Sequence, residues 1–424
     1  MSFPQAQKPP GAASAVRFSL GAKPKLLLVA MQRYLLCSQL ALAFERIGFE
    51  VEVGCDRENP VRLLRNVPPR HDLGILSPLS LGLWGAEINV RRAIDRAKPD
   101  LVVPCDDQAA RILRRIGASS DGSTKQLIES SLGPVSVYPL LDSRSEQIKL
   151  ARSVGVPVPH SMDVSEALSL AEAAAEVGLP AFLKRDGTWG GEGVVKVGTK
   201  EELGLAWMRM AHAHTVGTAF ASARCDGWRQ SLARIRRKRP TIQLQAAVTG
   251  RPANRAVLCK DGEVLAGISV LAVETASQTG PASVVRVIES DEMERIAARL
   301  AGHLKANGFL GFDFIVTNEG EVFLLEINAR PTPSALLPVA GLPDLLELLF
   351  ESTAGWRGCA RDPIPAHLIA LFPHHGSRYL GEAYHYLPHD EPQLIASAPT
   401  PSGADRAPPG AFAEQLVEKA GQKV

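Results

Sequence analysis

The chain has 424 residues, 45% of them hydrophobic and 22% charged. That is the balance of a globular protein with apolar material for about two to four domains of roughly 100–200 residues each. Its 47 Lys and Arg stand against 45 Asp and Glu, a formal charge of +2, so no global field favours nucleic acid or an anionic membrane. No run approaches the roughly 18 apolar residues of a membrane span. The opening stretch MSFPQAQKPPGAASAVRF has no apolar segment of the secretory kind. Six scattered cysteines (Cys37, Cys55, Cys105, Cys225, Cys259 and Cys359) form neither a C-x-x-C pair nor a zinc-spaced cluster. They predict reduced thiols and a cytoplasmic protein.

Residues 1–23, rich in Ala, Pro, Gly and Ser, predict a disordered tail. From there strands and helices alternate. Residues 25–30 (KLLLVA) form the short apolar run of a strand covered on both faces. Residues 34–47 carry helical spacing that Gly48 stops, 50–55 (EVEVGC) alternate as a strand, 87–97 predict a helix, and 101–103 a third strand leading into Pro104-Cys105-Asp106-Asp107. This alternation predicts a parallel, doubly wound, Rossmann-like α/β domain over 24–140. The first strand–helix turn, Ala30-Met31-Gln32-Arg33-Tyr34, contains no glycine, so the G-x-G-x-x-G loop that NAD or FAD requires is missing. His71-Asp72 reads as a polar loop that could line a substrate site.

Near Leu141 the character changes. Helices are predicted over 145–153 and over 165–177, the latter opened by Ser165 as N-cap and closed by Gly178. Strands follow at 181–184 and 193–197 on either side of a glycine-rich turn. Residues 242–273 read as antiparallel strands turning at Gly250 and at Asp261-Gly262. Then come a helix over 292–307, a hairpin over 311–328 and a helix over 341–352. From about residue 392 the composition is that of a tail.

The hairpin GFDFIVTNEGEVFLLEINARP, 311–331, is the most informative segment. Side chains alternate faces along a strand, so Asp313 lies opposite in facing to Phe312 and Phe314, while Glu326 and Asn328 share a face. Folding about Glu319-Gly320 sets Asp313 nearly across from Glu326. Two carboxylates that close repel unless a cation or proton lies between them, and hard oxygen ligands of this kind suit Mg²⁺. The alternative is a pair of solvent-facing charges on a half-exposed hairpin. Upstream, AFLKRDGTWGGEGVV, 181–195, ends a strand at Lys184 and then supplies Gly187, Gly190, Gly191 and Gly193. It reads either as a loop closing over phosphates with Lys184 as counter-charge or as a flexible hairpin turn. No G-x-x-x-x-G-K-[ST] and no G-x-S-x-G occurs.

In this order the two segments resemble the ATP-grasp superfamily, which includes biotin carboxylase, the carbamoyl phosphate synthetase large chain and D-alanine–D-alanine ligase. The resemblance runs from about Leu141 to Leu337, with E-x-N-x-R-P its most specific motif. It implies an α/β chain whose Rossmann-like pre-ATP-grasp domain, 24–140, precedes an α+β ATP-grasp domain, 141–352, and a C-terminal extension, 353–424. It implies Mg²⁺ (or Mn²⁺) on Asp313, Glu326 and Asn328, and ATP bound by Arg144, Lys184, Gly190, Gly191 and Gly193. The strand QLQAAVTG, 243–250, would place Gln245, Ala246 and Val248 at the adenine, and Arg330 would face the reacting phosphate with Lys184. Arg144 reads equally as a solvated charge at a helix start. Gln245 stands where an acid is common, and no acid follows Gly250 to hold the ribose, a role for which Asn254 is a substitute. The activity implied is ATP-dependent ligation of small-molecule carboxylates to amines through an acyl phosphate. A small-molecule kinase and a catalytically weak regulatory module are the alternatives, and the oligomeric state is left open, a homodimer included. The basic run 234–239 reads first as a solvated helix end, with a phosphate- or RNA-contacting role as the alternative, and His374-His375 lacks a spaced carboxylate partner.

Overall fold

A computed structural model describes residues 22–74, 83–165, 170–186, 193–212, 241–276, 280–373 and 382–398. The glycines 187, 190 and 191, the basic run 234–239, His374-His375, and residues 1–21 and 399–424 of the expected tails lie outside them.

Strands β1 (Lys25–Val29), β2 (Glu50–Cys55), β3 (Arg70–Asp72) and β4 (Leu101–Pro104) form a parallel sheet in the order β3-β2-β1-β4. The apolar run of β1 serves both faces. Leu26 and Leu28 join one buried cluster with Leu36, Leu40 and Phe44 of the helix Leu36–Ile47, whereas Leu27 and Val29 join another with Val90 and Ala93 of the helix Leu83–Ala97. The Rossmann-like expectation therefore holds. His71-Asp72 is not a polar loop but part of the edge strand β3, with His71 Nε2 2.5 Å from Glu52 on β2. Two helices lie outside the predicted elements, Asp107–Ala118 and Gly122–Leu132. The first is capped by Asp106, whose Oδ1 accepts the Ala109 amide at 2.9 Å. The other oxygen of Asp106 accepts the amides of Met31 and Gln32 at 2.7 and 3.0 Å, tying the glycine-free turn after β1 to the turn after β4.

A small antiparallel sheet follows, β5-β8-β6-β7 in order, from β5 (Ser161–Asp163), β6 (Ala181–Arg185), β7 (Val194–Val197) and β8 (Ile242–Ala246). The helices Leu170–Val177 and Lys200–His212 pack on it around Leu183, Val197, Leu203 and Leu244. The Ser165 hydroxyl donates to Asp163 and accepts the Ile242 amide; the helix start expected at Ser165 falls on 166–169, which lie outside the described residues.

The largest sheet contains β9 (Arg251–Lys260), β10 (Glu263–Thr275), β11 (Ala282–Ile288), β12 (Gly308–Val316), β13 (Val322–Asn328), β14 (Leu368–Leu371) and β15 (Tyr384–Tyr386), in the order β13-β12-β9-β10-β11-β14-β15. The turn at Asp261-Gly262 joins β9 to β10 as expected, both residues at positive φ. Gly250 does not turn a hairpin. It passes the chain from β8 in one sheet to β9 in another, so close to β12 that a Cβ there would lie 2.4 Å from the Val316 carbonyl oxygen. Buried clusters join this sheet to the first one: Phe44 and Phe49 pack with Phe309 and Phe350, the last on the helix Leu345–Ala354. Ordered structure also continues past residue 392, in a short helix Pro392–Ala396 whose Leu394 and Ile395 are buried.

Candidate functional site

The β12–β13 hairpin reverses through residues 317–320, where the Gly320 amide donates to the Thr317 carbonyl at 3.1 Å and Gly320 takes φ +87. Phe312 and Phe314 are fully buried on one face, which turns Asp313 to the other. The register pairs Asp313 with Glu326 and Gly311 with Asn328, with a bulge between Asp313 and Phe314. The sequence-predicted juxtaposition is therefore present. Asn328 Nδ2 donates to Asp313 Oδ2 at 2.8 Å. Burial, and then the charge of Glu326, raise the pKa of Asp313, while the amides of Asn254 and Asn328 pull the other way.

Arg144 opens the helix Arg144–Ser153, behind the N-cap Ser143. Its Nε lies 2.9 Å from Glu326 Oε1, and Nη1 donates to the Arg185 carbonyl at 2.9 Å. Burial works against its charge, but Glu326, Asp186 and Asp107 more than offset this and raise its pKa. A guanidinium thus occupies the cation position beside Glu326, and Arg144 is not a solvated helix-start charge. Three residues on, Gln147 reaches the backbone between the two candidate ligands on β13: its Nε2 donates to the Ile327 carbonyl at 3.0 Å and its Oε1 accepts the Ile327 amide at 2.9 Å.

Lys184, near the end of β6, donates from Nζ to Gln245 Oε1 on β8 at 2.5 Å. Burial lowers its pKa to about 8, opposed by Glu326 and reinforced by Arg144. Gln245 is 1% exposed, and its Nε2 finds no partner among the described residues. Ala246 has its amide committed to the His160 carbonyl at 2.8 Å, so of its backbone groups only the carbonyl remains for a base edge; Val248 lies in the segment between β8 and β9. Gly193 takes φ +70 and its carbonyl accepts the Arg185 amide. Arg330 makes a two-pronged contact with Asp107 (Nε to Oδ1 2.8 Å, Nη2 to Oδ2 3.0 Å) and reaches Asn328 Oδ1 at 3.4 Å. Burial opposes the Arg330 charge, but Asp107 outweighs it and raises the pKa.

Asp107, Arg111, Arg114, Arg144, Asp186 and Glu326 line one cavity of about 50 Å³. The carboxylates of Asp107 and Asp186 have no motif in the sequence to single them out. The first sits in the helix after β4; the second accepts from Ser143 Oγ at 3.1 Å and from the Arg144 amide at 3.3 Å. Asn254, the substitute for the missing ribose acid, has its amide held against Asp313 at 2.8 Å. As a cation site the donor set fits Mg²⁺. Two carboxylates and an amide oxygen supply few hard ligands and leave the rest to water and phosphate. Among the described residues no cluster of three or more His, Cys, Asp or Glu is arranged for a metal.

Residues 146–334 match the family model described as ATP-grasp domain. Among solved structures, the chain is similar to the biotin carboxylase domain of Hydrogenobacter thermophilus 2-oxoglutarate carboxylase in complex with MgADP, ADP and bicarbonate (TM-score 0.56, 13% identity, 80% of this chain and 71% of that one). It is also similar to carboxyaminoimidazole ribonucleotide synthase of Aspergillus clavatus complexed with ATP (0.55, 14%, 81% and 78%) and to L-amino acid ligase from Bacillus licheniformis (0.52, 14%, 78% and 74%). At these identities the likeness is one of fold. A search of curated proteins returns no match.

Proposed function

We propose that the protein, whose residues 146–334 match the ATP-grasp domain model, is an ATP-dependent ligase that activates a small-molecule carboxylate for attack by an amine. The observation that carries the reading is the register of Asp313 against Glu326, with three cationic side chains, Arg144, Lys184 and Arg330, gathered around the pair.

Asp313, Glu326 and Asn328 would hold the Mg²⁺ (or Mn²⁺) of the nucleotide. When bound, that ion would neutralise charge on the phosphates. Phosphoryl transfer asks the protein mainly for positioning and charge neutralisation, and the chain's own groups supply both. Arg144 moves its positive charge from Glu326 to phosphate, and Lys184 and Arg330 add two more. The glycines 190, 191 and 193 allow backbone amides to approach the phosphates, while Gln245, Ala246 and Val248 border the adenine. A carboxylate oxygen of the substrate attacks the γ-phosphorus, and the bond to ADP breaks. The amine then attacks the acyl carbon, inorganic phosphate leaves, and the nitrogen gives up a proton to form the amide. Arg330 would stabilise both charged leaving groups.

No described helix is long and apolar enough to cross a membrane, and the described cysteines are free thiols. Both fit a cytoplasmic enzyme of small molecules. The test is ADP release across a panel of carboxylic acids, with and without amines. Amine-dependent turnover and an amide product are expected. A stable phosphorylated product would replace the ligase reading with a kinase, and absence of turnover across the panel would replace it with a nucleotide-binding module.

A further inference from the structure

Asn254 lies on β9, directly across from Asp313 on β12. Both hydrogens of its amide go to groups that can only accept: Asp313 Oδ1 at 2.8 Å and the Phe312 carbonyl at 3.3 Å. That fixes which way the amide faces. Its oxygen is turned away from the sheet into a buried place, where it needs donors. It finds two. Thr332 Oγ1 donates at 3.1 Å and Ser334 Oγ at 2.5 Å, with the hydroxyls 2.9 Å from each other. Both residues are nearly inaccessible, at 6% and 3% exposure.

Room for this cluster is made at Gly311, two residues before Asp313. A Cβ there would lie 2.3 Å from Thr332 Cγ2, so a side chain at 311 would push Thr332 off the amide. Asn328 holds the second oxygen of Asp313 at 2.8 Å, so the Asp313 carboxylate is gripped at both oxygens and its plane is set.

We propose that Asn254, Thr332 and Ser334 are positioning residues for the divalent cation: by fixing the orientation of Asp313 they set how tightly the cation of the nucleotide is bound. This rests on the reading of Asp313, Glu326 and Asn328 as the cation ligands. Removing either hydroxyl leaves the amide oxygen short of a buried donor and lets the amide turn. Its oxygen then meets Asp313 acceptor to acceptor. The motif that matters to the cation extends beyond E-x-N-x-R-P to Thr332 and Ser334 and takes in a residue from a different strand.

The test uses the full chain, with Mn²⁺ and ADP as the probe and free Mn²⁺ read by electron paramagnetic resonance. Asn254→Ala and the double variant Thr332→Val with Ser334→Ala are expected to weaken Mn²⁺ binding in the presence of ADP by about tenfold or more, the usual effect of losing an outer-shell partner. The Mn²⁺ concentration for half-maximal ADP release rises with it, while the rate at saturating Mn²⁺ changes little. Thr332→Ser, which keeps the hydroxyl, retains wild-type Mn²⁺ affinity. If the variants melt earlier but bind Mn²⁺ as the wild type does, the cluster only supports the fold and the inference is overturned. Should the double variant not fold, Thr332→Val alone is measured in its place and is decided by the same two outcomes. If Mn²⁺ binding is indifferent to Glu326→Gln as well, the cation-site reading itself fails, and the inference falls with it.

Discussion

Replacing Lys184 by Met separates what this residue does for the fold from what it does for the nucleotide. The ammonium is held near a pKa of about 8 by burial, against an ordinary value near 10.4, and its hydrogen-bond partner on β8 is a neutral amide 2.5 Å away. At roughly 1.4 kcal/mol per pH unit, the charged form is disfavoured by about 3 kcal/mol relative to the unfolded chain. The sign follows from proton binding: between about pH 8 and 10.4 the unfolded state holds more protons at this site than the folded one, so stability rises with pH there, and the cost is fully present below about pH 8. Lys184→Met keeps the length and discards the charge. At pH 7 it should resist urea better than wild type, by up to about 3 kcal/mol, and the advantage should shrink as pH is raised toward 10. Nucleotide affinity should move the other way, because a lost charge-assisted phosphate contact costs about 1.5–3 kcal/mol, or roughly 10- to 150-fold. Urea melts at pH 7, 8.5 and 10, with calorimetric titrations of Mg-ADP, measure both. A variant less stable than wild type at every pH, by a constant amount, would refute the argument that burial disfavours this charge; unchanged Mg-ADP affinity would remove Lys184 from the nucleotide site.

Glu326→Gln should abolish ADP release while the melting temperature stays close to that of wild type; turnover at the wild-type rate would dismiss Glu326 as a cation ligand. Asp107→Asn should cost about 1–3 kcal/mol, because Arg330 keeps its charge and loses its two-pronged acceptor. Although burial pushes the Asp107 pKa up, Arg330 outweighs it and holds the carboxyl below its ordinary value. This contribution is thus present above about pH 4 and drains away as acid protonates Asp107, so wild type and variant should converge in acid melts. Phe312→Ala, which empties a fully buried site beneath the Asp313 strand, should cost about 3–5 kcal/mol in chemical denaturation.

The β12–β13 hairpin can be read from the chain because its signals are local. Alternation fixes which residues share a face, the Thr317–Gly320 chemistry fixes the turn, and together they fix Asp313 against Glu326. The apolar run of β1 is legible for a similar reason, since a strand covered on both faces has no polar side to show. What stays hidden is whatever depends on a remote partner. Nothing around Asp107 announces that Arg330, 223 positions away, will close on it. Gly250 has the composition of a turn, yet what it must do is let two sheets diverge while passing close to β12. Asn254 has the look of a spare polar residue after that glycine; only the alignment of β9 with β12 reveals that it faces Asp313.

The clasp of Gln147 on β13 has a consequence for self-association. β13 lies at the margin of the largest sheet, and a marginal strand with bare amides is a template on which a second copy can add a strand of its own. Here the Ile327 amide and carbonyl are taken by Gln147, and the Leu324 amide is taken by the Pro157 carbonyl at 2.9 Å. These contacts turn the margin into a surface that does not propagate. Leu in place of Gln147 would take both partners from Ile327 at this margin while leaving the Leu324 amide on Pro157.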